Sequence, residues 1–130
     1  MKTAFRLLAA LGALLLLTGC GGEKAPAYRQ VNPEEAAAMM ESETDYILLD
    51  VRTRQEYEQG HIPGAICVPN EAIGSEEIPA LPHREQLILV YCRSGNRSKQ
   101  AAQKLAEQGY TGIVEFGGIL SWPGETVPSK

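Results

Sequence analysis

Of 130 residues only three are cysteine, two histidine and one tryptophan. Cysteines this few and scattered build no disulfide framework, and neither they nor the histidines show ligand spacing, so no metal and no organic cofactor is implied. The chain also lacks a basic excess: 12 Lys and Arg stand against 16 Asp and Glu, a net charge of −4. That balance argues against nucleic acid or an anionic lipid surface as a partner. No repeat or low-complexity tract occurs. The longest apolar run, Leu7 to Leu17, is too short for a permanent bilayer span.

That run has another reading. Lys2 and Arg6 precede it and Leu17-Thr18-Gly19-Cys20 closes it, the anatomy of a leader removed by processing. Leu-Thr-Gly-Cys resembles the lipobox of bacterial lipoproteins, which implies a signal peptide over 1–19, a lipid anchor on Cys20 and a tether over 20–27. Gly21, not Asp, follows the cysteine, so the usual inner-membrane retention signal is absent. The resemblance places the protein in the bacterial envelope, outside the cytoplasm, on the periplasmic or the outer surface. Loss of Lys2 and Arg6 would deepen the acidity by two charges. One domain, 28–130, remains.

Within it, strand and helix patterns alternate. Strands are predicted over Tyr28 to Val31, Tyr46 to Val51, Ala65 to Val68, Leu87 to Cys92 and Ile113 to Phe116. Asn32-Pro33-Glu34-Glu35 and Thr53-Arg54-Gln55-Glu56 read as capping boxes, opening one helix that runs to about Ser42 and a shorter one stopped by Gly60. Asn70 to Leu81 holds Gly74 and Pro79 and allows only a turn or two of helix. Ser98 to Gln108 reads as the last long helix, with Ala101, Ala102, Leu105 and Ala106 on one face and Gly109 closing it. The alternation predicts a parallel α/β sheet covered on both faces, with ligands at the carboxyl ends of its strands. Met39 and Met40 read as packing residues of the first helix, and His83 as solvated surface.

Cys92 stands at such an end, opening Cys92-Arg93-Ser94-Gly95-Asn96-Arg97-Ser98. Glycine at 95 lets successive N–H groups turn inward as an anion nest, and the following helix aims its amino end at the same place. A cysteine ending an apolar strand is commonly an inert buried hydrophobe. A cationic, glycine-bearing loop is foreign to that role, and it predicts a thiolate favoured by N–H groups, the helix dipole and the charge of Arg97.

Three motifs in order carry a further resemblance: Asp50-Val51-Arg52-x3-Glu56-Tyr57-x2-Gly60-His61-Ile62-Pro63-Gly64-Ala65, then Cys92-x2-Gly95-x-Arg97-Ser98, then Gly117-Gly118-x3-Trp122. From about Tyr28 to Val127 the chain resembles single-domain rhodaneses. The resemblance implies a rhodanese-like sandwich, a central, mostly parallel five-stranded sheet flanked by helices. It implies a sulfurtransferase in which Cys92 takes sulfane sulfur from thiosulfate or a polysulfide, a small anionic donor, and passes it to a thiol, cyanide or an exported protein. Backbone groups and side chains of Arg93, Ser94, Gly95, Asn96, Arg97 and Ser98 would bind the anion. Arg97 has a second placement, turned inward against a carboxylate. Asp50 and Arg52 read as supporting residues and foremost as an ion pair, His61 as a turn residue, Glu56 and Tyr57 as cap and packing positions, and Trp122 as a lid on the core.

Two rivals remain. Phosphatase-type and arsenate-reductase-type loops keep five residues between Cys and Arg, and this loop has four, Arg93 to Asn96. A persulfide carrier or docking module acting with a protein partner is the rival of a different class. Cys67, where many rhodaneses carry Asn, is either a core thiol or a disulfide partner for Cys92.

Overall fold

The computed structural model describes residues 28–130. The leader over 1–19, Cys20 and the tether over 20–27 lie outside the described residues. Among those described, no helix is long and apolar enough to cross a membrane.

Five strands form one sheet: β1 (Arg29–Gln30), β2 (Ile47–Asp50), β3 (Ile66–Cys67), β4 (Leu87–Cys92) and β5 (Gly112–Gly118). Their order is β1-β5-β4-β2-β3, and every paired neighbour is parallel. An isolated antiparallel bridge, His61 to Val127, ties the C-terminal segment to the turn after the second helix. The helices are α1 (Pro33–Ser42), α2 (Arg54–Gln59) and α3 (Asn96–Glu107). Both capping boxes form, with Asn32 accepting from the N–H of Glu35 at 2.8 Å and Thr53 from that of Glu56 at 3.2 Å. Between β3 and β4 the only helical piece is one 3-10 turn, Asn70–Ala72.

Alternation along β4 divides the core. Ile88, Val90 and Cys92 join Leu49, Ala101, Ala102 and Leu105 on the α3 side. Leu89 and Tyr91 join Ala36, Ile62 and Phe116 on the α1 side, where Met39, Met40 and Trp122 pack at the margin. Burial on both faces explains why β4 reads as an unbroken apolar run. α3 starts at Asn96, two residues before its sequence-based start, because Gly95 takes the left-handed conformation (φ +112°) and turns the chain directly into the helix.

The carboxyl end of β2 carries an ion pair inside the protein. Arg52 Nη2 lies 2.6 Å from Asp50 Oδ2, both side chains nearly solvent-free, and Arg52 also donates to the carbonyl of Gly60 at 2.7 Å. This contact holds the turn after α2 against the sheet. Removing one partner strands a buried charge. Asp50→Ala is therefore expected to cost about 3 kcal/mol in urea unfolding, while the double change Asp50→Leu/Arg52→Met costs far less.

Candidate active site

Cys92 ends β4 with its side chain on the α3 face, 1% exposed. Its Sγ accepts the N–H of Gly95 at 3.0 Å and lies 3.4 Å from Ser98 Oγ. Burial pushes the thiol up, but the hydroxyl and N–H of Ser98 and the N–H groups of Gly95 and Ser94 pull it down further, leaving it below its ordinary 9.0. The thiolate is held by backbone amides that cost no reorganisation when charge forms there.

Two glycines let the loop close so tightly. A side chain at Gly95 would be strained by the left-handed backbone. At Gly118 a Cβ would stand 2.0 Å from the carbonyl oxygen of Arg93 and 2.6 Å from the nitrogen of Ser94, so only glycine lets β5 run against the loop's backbone. The Leu120 N–H then donates to that carbonyl of Arg93 at 3.2 Å.

Of its two expected placements, Arg97 takes the one against a carboxylate. Its Nη1 and Nη2 bond the two carboxylate oxygens of Glu56 at 2.6 and 3.0 Å, a bidentate pair between the first turns of α3 and α2. The largest contributions that lower the Cys92 thiol come from Ser98, Gly95 and Ser94, and the charge of Arg97, held by Glu56, acts on the sulfur through space. The same Glu56 closes the capping box with Thr53, which fastens α2 and the sulfur loop together. Arg93, Ser94 and Asn96 are exposed. Arg93 lines a cleft of about 310 Å³ with Arg52, Glu56, Gly60, Ile119 and Leu120. A larger hollow of about 610 Å³ opens beside the amino starts of β2 and β3, at Ile47 and Ile66, away from the nucleophile.

Asp50 and Arg52 are committed to each other. His61 Nδ1 lies 2.8 Å from the carbonyl of Tyr57 and its ring stacks on the Tyr57 ring at 3.9 Å, both contacts fixing the turn. His83 is exposed. Cys67 is buried, its thiol raised first by burial and then by the charge of Asp50. Register separates it from Cys92: Cys67 pairs with Asp50, and Asp50 with Tyr91. Cys67 is thus two strands, roughly 9–10 Å, from β4 and on the face of Tyr91, opposite that of Cys92. A disulfide, needing α-carbons within about 7 Å, does not join them.

One buried residue escaped the sequence reading. Glu115, in the middle of β5 and 2% exposed, accepts the Ser98 hydroxyl at 2.7 Å and the Gly117 N–H at 2.7 Å through Oε1. Its signal was a lone acid inside Ile113-Val114-Glu115-Phe116.

A buried cysteine whose sulfur accepts an amide N–H thus stands at the carboxyl edge of a five-stranded parallel sheet. The family model for the rhodanese-like domain matches residues 32–125, and the chain belongs to that family. A sulfurtransferase of Allochromatium vinosum is 34% identical over 102 residues, 76% of this chain and 92% of that protein. The thiosulfate sulfurtransferase PspE of Escherichia coli is 37% identical over 71 residues, 55% of this chain and 68% of its own. A solved rhodanese with anions from E. coli superposes with a TM-score of 0.59 at 32% identity, covering 64% of this chain and 98% of that one.

The Arg97–Glu56 pair holds the Glu56 carboxyl down to about 2 from 4.5, with burial opposing and Thr53 assisting. A depressed carboxyl stabilises fully above its unfolded value and loses that contribution as pH falls through the folded one. Glu56→Gln keeps the cap and removes the charge. The stability difference from wild type is expected to be about 1 kcal/mol at pH 6 and to shrink as pH falls from about 4.5 toward 2 in urea titrations.

Proposed function

We propose that this rhodanese-like chain is a sulfurtransferase that takes sulfane sulfur from thiosulfate, or from a polysulfide, as a persulfide on Cys92. The observation that carries the reading is the buried Cys92 sulfur held by the Gly95 N–H at 3.0 Å, its thiol lowered by the Ser98 hydroxyl and the N–H groups of Ser98, Gly95 and Ser94. The Cys92 thiolate attacks the outer sulfur, the donor's S–S bond breaks with its electron pair leaving on sulfite, and a Sγ–S bond forms. A thiol or cyanide then attacks that outer sulfur, and the Sγ–S pair returns to Cys92 as thiolate. The amides of Ser94, Gly95 and Ser98 face the sulfur in both half-reactions. Arg93, exposed at the cleft mouth, attracts the anionic donor, with Arg97 bracing the loop from behind. Names of the relatives support the chemistry, and the E. coli rhodanese solved with anions supports an anionic donor.

The lipobox-like Leu17-Thr18-Gly19-Cys20 supports an envelope location with a lipid on Cys20, where the acceptor is a small thiol or an exported protein. A persulfide carrier for a protein partner would share the first half-reaction and diverge at the second.

Incubation with thiosulfate is expected to add one sulfur, about 32 Da, to the wild-type intact mass and none to Cys92→Ser, with cyanide discharging the adduct. A free thiol that gains no mass would overturn thiosulfate as donor. An adduct that cyanide and small thiols leave in place would favour the carrier. Arg93→Ala is expected to raise the thiosulfate KM about threefold to tenfold with a smaller change in kcat.

A further inference from the structure

Ser98 Oγ stands at a junction. Around it lie Glu115 Oε1 at 2.7 Å, the Gly95 carbonyl at 3.0 Å, the Gly117 carbonyl at 3.2 Å and Cys92 Sγ at 3.4 Å. A serine hydroxyl has one hydrogen to give. Glu115 is the nearest acceptor and the only carboxylate among them, so while Cys92 is a thiol Glu115 takes that hydrogen and the oxygen of Ser98 accepts the S–H of Cys92; toward a thiolate the hydroxyl turns to the sulfur.

The position of Glu115 is costly for the fold. Register pairs it with Gln30 and Val90, on the face of β5 that also carries Ile113 against α3. Among the described residues no Lys or Arg pairs with it. Of the two arginines of the loop, Arg97 is tied to Glu56 and Arg93 is exposed. An apolar side chain would pack in that layer without the cost of burying a carboxylate.

We propose that Glu115 is a positioning residue that takes up the Cys92 proton through Ser98. The proposal rests on the sulfur-transfer reading and adds the destination of the proton. As Sγ bonds to the donor's outer sulfur, the S–H proton passes to Ser98 Oγ and the Ser98 hydrogen passes to Glu115 Oε1. The thiol and carboxylate become a bound sulfur anion and a carboxylic acid, so the interior of the chain carries one negative charge before and after. Ser98 now donates to the sulfur and Glu115 to Ser98. When the acceptor removes the outer sulfur, the same two hydrogens return and Cys92 regains its proton. Shared in this way, one proton keeps the buried pair from carrying two charges at once.

The pH dependence of Cys92 alkylation by iodoacetamide, read by peptide mass, tests this without any sulfur transfer. A failed relay and a failed transferase are thus told apart. Glu115→Gln donates an amide hydrogen to Ser98 Oγ and turns the Ser98 hydrogen onto the sulfur; the midpoint is expected to fall by about one unit. Ser98→Ala is expected to raise it, and in that background Glu115→Gln is expected to do nothing. A Gln effect that is absent, or that is equally large without Ser98, would overturn the proposal, since the latter is a direct field of the carboxylate. Should Glu115→Gln fail to fold, Glu115→Asp carries the test. It keeps the charge but withdraws from Ser98, so the relay expects a fall and a direct field expects none.

Discussion

Everything at the carboxyl edge of this sheet is arranged around one close approach, the backbone of β5 against the backbone of the Cys92 loop. Gly118 has no room for even a methyl group there, and its contact with Arg93 and Ser94 presses the loop into the curve that turns amides toward the sulfur. Gly95 completes the curve with a left-handed backbone and launches α3 at once, which brings the N–H of Ser98 to the same point. The nest, the helix start and the buried sulfur are consequences of two residues that have no side chains.

The electrostatics follow from that arrangement. The chain carries 16 acids against 12 bases, and at the loop oriented amides supply the positive end locally. Of the arginines at this edge, Arg52 serves Asp50 and Arg97 serves Glu56, while Arg93 is exposed. The paired arginines act mechanically. Arg52 clamps the turn after α2, and Arg97 joins that helix to α3. Both make the loop rigid, so the amides are already in place when charge develops on sulfur.

Much of this could be read from the residues. Apolar runs broken by capping boxes gave away the alternation of strand and helix, and Leu87 to Cys92 followed by a glycine-bearing loop marked the candidate site. What stayed hidden depends on distance in the chain. The partner of Arg97 is Glu56, 41 positions earlier, and nothing local to either residue says that α2 and α3 start side by side. Cys67 and Cys92 are assigned to opposite faces by sheet order alone. Glu115 was concealed for another reason: an acid within a strand reads as a solvent-facing position, and only a strand flanked by neighbours on both edges and packed on both faces turns it inward.

The Ser98 hydroxyl and the loop amides together overcome burial to favour the Cys92 thiolate. The most direct test is the thiolate absorbance of the Cys67→Ala protein followed through a pH titration, with Gly95→Ala beside it. The account expects a midpoint below 9.0 in the first and a clearly higher one in the second, where the nest is strained open. A midpoint at or above 9.0 in the glycine-bearing protein would contradict it.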